Sequence, residues 1–121
     1  MNIGEFNATP IVKKELPEEA IEDFRKGSYI DWFVYYDYIL SEDFIREFQD
    51  KVYWSWVSFE QKLSEDFIIE FKDKVDWLGI SFYQKLSKEF IAEFSDKIDF
   101  YEILDNVNIS EEVKDYCRMF L

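Results

Sequence analysis

The side chains of this sequence that could do chemistry are mainly carboxylates. The 121-residue chain has 27 acidic and 14 basic residues, no histidine and one cysteine. An array of carboxylates projects a negative field that attracts basic proteins or cations. Nine acids recur at one fixed spacing in three successive segments and are the leading candidates for a partner-binding surface, which we name the acidic edge: Asp43, Glu47, Asp50, Asp66, Glu70, Asp73, Glu89, Glu93 and Asp96.

The same inventory argues against catalysis. Without histidine the chain lacks the commonest general base and metal ligand, and Cys117 and the serines lack the usual base of a nucleophilic dyad. The three glycines are scattered, so a glycine-rich phosphate loop is excluded. The acids also lack the loop spacing of a calcium site. We expect a protein that is not an enzyme and has no cofactor and no metal site.

An internal repeat positions these acids. LSEDFIREFQDKVYWSWVSFEQK begins at Leu40, LSEDFIIEFKDKVDWLGISFYQK at Leu63 and LSKEFIAEFSDKIDFYEILDNVN at Leu86, which gives a period of 23 residues. Residues 16–39 match as a first, variant copy, and residues 109–121 match the first half of a unit. A unit this short cannot bury its apolar face alone, so such units stack on one another.

Each repeat predicts two short helices. Each clear copy and the half repeat open with a serine that can cap a first turn: Ser41, Ser64, Ser87 or Ser110. In the second copy this serine precedes an apolar stripe, and after a break near residues 51–53 a second face follows. The stripe is Leu40, Phe44, Ile45, Phe48 and Val52, and the second face is Trp54, Val57, Ser58 and Gln61. We predict an all-α fold of about nine helices, a small α-solenoid of stacked short helix pairs with about four 23-residue repeats and a terminal half repeat. The domain prediction is an extended N-terminal leader, residues 1–15, and a single helical-repeat domain, residues 16–121.

The repeat resembles a short repeat of uncharacterised proteins of giant viruses and bacteriophages. The shared features are the run LSEDFI, then F-x-D-K-V-D-W, then I-S-x-x-Q-K, and they are most specific in residues 63–85. The resemblance covers residues 16 to about 108 and implies a viral or mobile-element origin. It implies no activity and supplies no catalytic residues.

The acidic edge also has a purely structural interpretation as a solvated face. Each of its glutamates stands four residues before a lysine, in the order that favours helical ion pairs: Glu47–Lys51, Glu70–Lys74 and Glu93–Lys97. Asp43 and Asp66 lie in first turns, where the helix dipole favours negative charge. The third acid of each copy, Asp50, Asp73 or Asp96, is expected late in the first helix. It is explained neither by an ion pair with a lysine nor by a first-turn position, so it gives the sharpest test of function.

Aromatic residues make up 21% of the chain and form two sets. One set occupies a single repeat position on the inner face of the second helix and is predicted to be core: Trp32, Trp54, Trp77 and Phe100. The other set falls outside that face and is interpreted either as inter-repeat packing or as a partner-binding surface, the predicted aromatic face: Tyr38, Trp56, Tyr83 and Tyr101. Polar residues on the apolar face are expected to satisfy backbone groups between units: Ser58, Gln61, Ser81 and Gln84.

Charge and resemblance lead to two functional hypotheses. The net charge of −13 disfavours direct binding to nucleic acid or a membrane and favours a protein partner with a basic surface. The first hypothesis is a non-catalytic viral or phage inhibitor whose acidic edge blocks nucleic-acid binding by a host defence nucleoprotein of the CRISPR type. The second is an adaptor, or a homodimeric scaffold, that binds a protein through the predicted aromatic face. A signal peptide and a membrane-spanning run are both lacking, and Cys117 is alone, so a cytoplasmic protein of the host cell is expected.

Overall fold

The computed structural model describes residues 14–121, and the chain divides into two compact units, Met1–Ser41 and Glu42–Leu121. The described residues contain eight short α-helices and two strands of two residues each. This mostly helical content confirms the all-α prediction, while the solenoid arrangement stays a prediction. Of the predicted leader, residues 1–13 lie outside the described residues. The leader boundary and the single domain over residues 16–121 therefore stay predictions.

The first unit contains one helix and one pair of strands. Helix α1, Glu18–Arg25, follows Pro17 and has two glutamates in its first turn, where the helix dipole favours negative charge. Strands β1, Lys14–Glu15, and β2, Tyr38–Ile39, pair in parallel. Gly27 follows α1 with a φ of 95°, a left-handed conformation that glycine adopts readily after a helix.

The second helix expected in the variant first copy does not form. The segment at Asp31 and Trp32 forms turns, in which the Phe33 N–H donates to Asp31 Oδ1 at 3.0 Å. The run of aromatic and β-branched residues that follows has weak helix propensity. Its Tyr35 ring packs edge-on against Phe24 of α1, with ring centroids 5.5 Å apart. The prediction of stacked helix pairs from Leu16 onward is therefore wrong for this copy.

The second unit holds the three clear repeats and the half repeat. The first helices of its repeats are α2 (Glu42–Glu47), α4 (Glu65–Glu70), α6 (Lys88–Glu93) and α8 (Glu111–Cys117). The second helices are α3 (Trp54–Glu60), α5 (Trp77–Tyr83) and α7 (Phe100–Asp105). A short 3-10 helix, Arg118–Phe120, follows α8. The second helices pack directly on one another in the order α3, α5, α7, and α8 packs on α7.

Serine and aspartate side chains set where the helices of this unit begin. The Ser64 hydroxyl accepts from the N–H three residues further on, and Ser87 and Ser110 do the same in the next two repeats. These three predicted caps are confirmed. Asp76 and Asp99 cap α5 and α7, which the sequence analysis missed. A cap supplies an acceptor to first-turn N–H groups that have none in the helix, so it fixes the start of a helix only two turns long.

The apolar stripe of the first helices supplies the core. The predicted stripe is buried throughout the second copy, and the equivalent positions are buried in the third and fourth copies: Leu63, Phe67, Ile68, Phe71, Val75, Leu86, Phe90, Ile91, Phe94 and Ile98. Each second helix adds one fully buried aliphatic side chain, Val57, Ile80 or Ile103. Burial of a side chain of this size stabilises a fold by about 1.5–3 kcal/mol. The stripe is therefore the main source of stability in the repeats.

The four aromatic residues predicted to be core are only half-buried: Trp32, Trp54, Trp77 and Phe100. The Trp54 ring packs on Phe71 of the next repeat, with centroids 5.3 Å apart, and its Nε1–H donates to the Gln49 carbonyl oxygen at 2.9 Å. Trp77 packs in the same way on Phe94, at 5.4 Å. An indole N–H needs an acceptor, and the turn carbonyl that provides one holds the ring at the edge of the core. These rings join neighbouring repeats rather than fill the centre.

Candidate protein-binding surfaces

All nine residues of the acidic edge are exposed, and all lie in the second unit. The first acid of each copy lies in the first turn of α2, α4 or α6, and the glutamate of each copy is the last residue of that helix. The third acid, Asp50, Asp73 or Asp96, lies three residues beyond the helix, in the following turn. The prediction that these three sit late in the helix is wrong, because each first helix ends earlier than its apolar stripe does.

Ion pairs join part of the acidic edge across repeats. The Arg46 guanidinium lies 2.9 Å from Asp43 in its own helix and 3.0 Å from Glu70 in the next repeat. The hydrogen bond to Glu70 raises the pKa of Arg46 above its ordinary value. Lys74 Nζ lies 3.1 Å from Asp50 Oδ1 in the preceding repeat. The predicted pair Glu70–Lys74 is therefore wrong, because each of the two side chains binds a partner in the preceding repeat instead.

Five carboxylates of the acidic edge have no hydrogen bond or ion pair in the described part of the chain: Asp66, Asp73, Glu89, Glu93 and Asp96. The predicted pair Glu93–Lys97 is absent there as well, whereas Glu47–Lys51 stays a prediction. The sequence explains the difference between Glu70 and Glu93. Ile69 stands where Arg46 stands one repeat earlier, so the cation that binds Glu70 has no counterpart for Glu93. The unpaired carboxylates thus all lie in the third and fourth copies.

Two carboxylates outside the predicted set bind the cap serines of the next repeat. Glu42 accepts from the Ser64 N–H at 2.7 Å and from its hydroxyl at 3.0 Å, and Glu65 binds Ser87 in the same way at 2.6 and 3.1 Å. We name this two-bond contact the serine clasp. Hydrogen bonds to a charged acceptor are stronger than neutral ones. The sequence signal was available, because a glutamate directly follows the cap serine in each LSE run.

Buried polar residues form a second set of contacts between repeats. The Gln84 side chain donates to the Ser58 carbonyl at 3.0 Å and accepts from the Leu63 N–H at 2.9 Å. Asn106, one period later, donates to the carbonyls of Ser81 at 2.8 Å and Gln84 at 2.9 Å. The Ser58 and Ser81 hydroxyls accept from the N–H groups of Asp76 and Asp99 in the following repeats, both at 2.9 Å, so the predicted role of Ser58, Ser81 and Gln84 between units is confirmed. No buried side-chain nitrogen or oxygen of the described residues lacks a partner, so none is free to bind a ligand.

The predicted aromatic face does not form one exposed surface. Tyr101 is 71% exposed, but Trp56 and Tyr83 are half-buried. Tyr38 lies in the first unit, where it is half-buried with its ring 5.2 Å from that of Tyr35. Exposure was therefore predicted correctly for Tyr101 but not for the other three. A binding role for the four residues stays a prediction.

Exposed apolar side chains do lie on the second helices, at positions that the sequence analysis did not single out. Leu78 is 46% and Phe82 40% exposed, and together with Tyr101 and the half-buried Phe59 they form a patch that we name the apolar ridge. The Phe59 and Phe82 rings lie 6.0 Å apart. The residues occupy two repeat positions four residues apart, which face the same side of a helix. This i, i+4 pattern was visible in the sequence beside the buried face.

A shallow cavity of about 200 Å³ lies where α5 and α7 end, lined by Lys62, Tyr83, Gln84, Lys85 and Asn108. The Gln84 amide already forms hydrogen bonds with main-chain groups, and the Asn108 amide donates to the Tyr83 carbonyl at 2.6 Å.

Within residues 14–121, no group of three or more acids or cysteines is arranged to hold a metal ion. No helix of that part is long and apolar enough to cross a membrane.

Comparisons with protein-family models, with curated proteins and with solved structures find no match to this chain. The resemblance to repeats of giant-virus and phage proteins therefore stays a prediction. The surfaces have to be interpreted from their geometry and charge.

Proposed function

We propose that the protein is a non-catalytic binding module that covers a basic surface of another protein with its acidic edge. The observation that carries the proposal is the row of exposed, unpaired carboxylates in the third and fourth copies. Ion pairs account for Asp43, Asp50 and Glu70, but within residues 14–121 the five unpaired acids have no partner. Uncompensated like charges of this kind favour encounter with an opposite charge and reject anionic partners.

The target class follows from the charge and from the resemblance. A basic groove that binds nucleic acid is the surface that a row of carboxylates fits best, because the carboxylates can take the place of phosphates. With a viral or phage origin, we propose a host defence nucleoprotein of the CRISPR type as the target and the host cytoplasm as the place of action. The repeats would present the acids from a small α-solenoid, which is supported by the serial packing of α3, α5 and α7.

A charge-reversal pair with a matched control tests this function. Asp66→Lys/Glu89→Lys reverses two unpaired acids in first turns of the acidic edge. Glu19→Lys/Glu112→Lys makes the same net change in the first turns of α1 and α8, outside the edge. In a gel-shift competition with a CRISPR-type nuclease and its DNA, the edge variant should lose at least tenfold in inhibition and the control should lose little. Equal losses of inhibition in the two variants, or no inhibition by the unchanged protein, would refute the proposal.

The second candidate is an adaptor or homodimeric scaffold that uses exposed aromatic side chains. The observation in its favour is the 71% exposure of Tyr101, because aromatic side chains are common anchors at protein interfaces. Apolar association weakens little with ionic strength, whereas association through the acidic edge weakens steeply. Sedimentation equilibrium at two salt concentrations separates them: a dimer that persists in 0.5 M salt (about 4 Å screening length) supports the scaffold.

A further inference from the structure

The apolar ridge is ordered in two rows across three helices. Because α3, α5 and α7 pack one on the next, equivalent repeat positions lie side by side. One row is Ser55, Leu78 and Tyr101, and the other is Phe59, Phe82 and Asp105. The Ser55 hydroxyl donates to Asp76 Oδ2 at 2.8 Å, so it serves the next helix start. Of the four remaining apolar side chains, Leu78, Phe82 and Tyr101 leave a large part of their surface in water, and the half-buried Phe59 lies beside Phe82.

The charged residues of the three helices are all acidic, and the nearest lysines in the sequence, Lys62 and Lys85, lie beyond the ends of α3 and α5, at the cavity. Helices α3, α5 and α7 contain no lysine or arginine, but they do contain Glu60, Glu102 and Asp105. Asp105 closes one row of the ridge and Glu102 follows Tyr101 directly. A ligand that covers the apolar side chains therefore meets carboxylates at its margins and gains from cationic groups there. A second copy of this chain, with a net charge of −13, brings the wrong charge.

The spacing of the rows fits one kind of occupant. Packed helices lie about 8–10 Å apart, which sets the distance between equivalent side chains along a row. Seven residues of an α-helix advance about 10.5 Å. A helix that lies across α3, α5 and α7 with an apolar residue every seventh position can thus present one such residue to each helix it crosses. An apolar residue three or four positions away serves the other row.

We propose that the apolar ridge binds an amphipathic helix of a partner protein, with apolar residues at heptad spacing and lysines or arginines on its flanks. Leu78, Phe82 and Tyr101 supply the apolar contact, and Glu102 and Asp105 supply the complementary charge. The ridge lies on the second helices, whereas the acidic edge belongs to the first helices and the turns after them. The proposal does not rest on the acidic edge, because it needs none of the unpaired acids. It shares Tyr101 with the second candidate function and specifies the kind of partner that this residue would contact.

Fluorescence anisotropy with two labelled peptides tests the proposal. One has three heptads with leucine at the first and fourth positions and lysine on the flanks, and the other has the same composition with the leucines out of phase. We expect at least tenfold tighter binding of the in-phase peptide. Equal binding of the two would show that the charge alone attracts them and would overturn the proposal.

Variants assign the binding to the ridge. Phe82→Ser/Tyr101→Ser should weaken binding of the in-phase peptide at least tenfold, whereas Tyr29→Ser, which removes an 88% exposed tyrosine of the first unit, should leave it unchanged. If the double variant does not fold, as judged by circular dichroism, Tyr101→Ser alone should still weaken binding about threefold. Unchanged affinity in a folded ridge variant overturns the assignment.

Two further outcomes separate this surface from other interpretations. Asp73→Lys/Asp96→Lys should weaken the binding of both peptides but should keep the tenfold preference for the in-phase peptide. That outcome would make the result independent of the acidic edge. A concentration-dependent dimer that is lost in Tyr101→Ser would assign the ridge to a second copy and overturn the helix partner.

Discussion

Gln84 shows how a single side chain can hold two repeats together. It is buried, and its amide donates to the Ser58 carbonyl of the preceding repeat and accepts from the N–H of Leu63, the first residue of its own repeat. Gln84→Leu keeps the volume but leaves a carbonyl and an N–H without partners, and each such buried group costs about 1–3 kcal/mol. We expect a loss of at least this size in the free energy of unfolding, measured with urea. Asn108→Ala, which removes the exposed side chain next to the same junction, should lose clearly less. Equal losses would mean that burial of the amide contributes nothing.

Cys117 gives a pH dependence with a definite sign. The thiol is fully buried, and burial raises its pKa above the ordinary value. The unfolded chain then ionises first, so the contribution of the thiol to stability is intact below the ordinary thiol pKa of about 8.5 and falls as pH rises towards the folded value. Urea unfolding between pH 7 and 10 should show a steeper decline for the unchanged protein than for Cys117→Ala. Identical slopes would show that the thiol is hydrated in the folded state.

At the scale of elements, the contact between α3 and α5 depends on Gly79. A Cβ at this position would lie 2.7 Å from Phe59 Cδ2 and 2.9 Å from Ser58 Cβ. Gly79→Ala gains about 1 kcal/mol of helix propensity, but overpacking of a tight contact typically costs about 1–3 kcal/mol. We therefore expect a net loss in urea unfolding, together with displacement of the Phe59 ring. Ala92→Gly, at an exposed position of α6, tests helix propensity without a packing change and should lower the free energy of unfolding by about 0.5–1 kcal/mol. A stabilised Gly79→Ala would refute the close approach.

The elements of the second unit could be predicted because their signals are local. A cap serine and an apolar stripe recur within each period, and one period is enough to identify a helix and its buried face. The contacts between repeats could not be predicted in this way. Arg46 reaches Glu70 and Gln84 reaches Ser58 over 24 and 26 residues, and a helical wheel of one unit does not contain the partner. The half-burial of Trp77 has a different origin, since its N–H finds the Lys72 carbonyl within the same repeat, in the turn before its own helix.

The variant first copy shows the limit of alignment. Trp32 aligns with Trp77, but the segment around it forms turns, because sequence similarity at a few positions does not supply the apolar face that a second helix must bury.

For the candidate site, the sequence predicted the exposure of all nine acids of the acidic edge. It did not distinguish paired from unpaired acids, because pairing depends on which cation of a neighbouring repeat comes within reach: Lys74 pairs with Asp50, whereas within residues 14–121 Lys97, one period later, does not pair with Asp73.

For the whole molecule, a net charge of −13 means that like charges repel one another in the folded state. Asp73→Lys removes an unpaired charge and should raise the urea midpoint at low ionic strength. Asp50→Lys makes the same charge change but removes the partner of Lys74 and places two ammonium groups together, so it should gain less or lose stability. Added salt should reduce the difference between the two variants. A larger gain for Asp50→Lys would mean that its ion pair has no effect in solution.

The serine clasp sets the order in which the repeats open. It links the second copy to the third and the third to the fourth, but Lys88 stands where the next clasp needs a carboxylate, and its ammonium lies over the Tyr116 ring at 4.8 Å instead. Repeat arrays unfold in segments whose stability depends on nearest-neighbour contacts. In native-state hydrogen exchange, the amides of α8 should therefore exchange faster than those of α6, and Lys88→Glu should slow α8 selectively. A change of one charge at this position would thus alter the lifetime of one segment and leave the rest of the chain as it is.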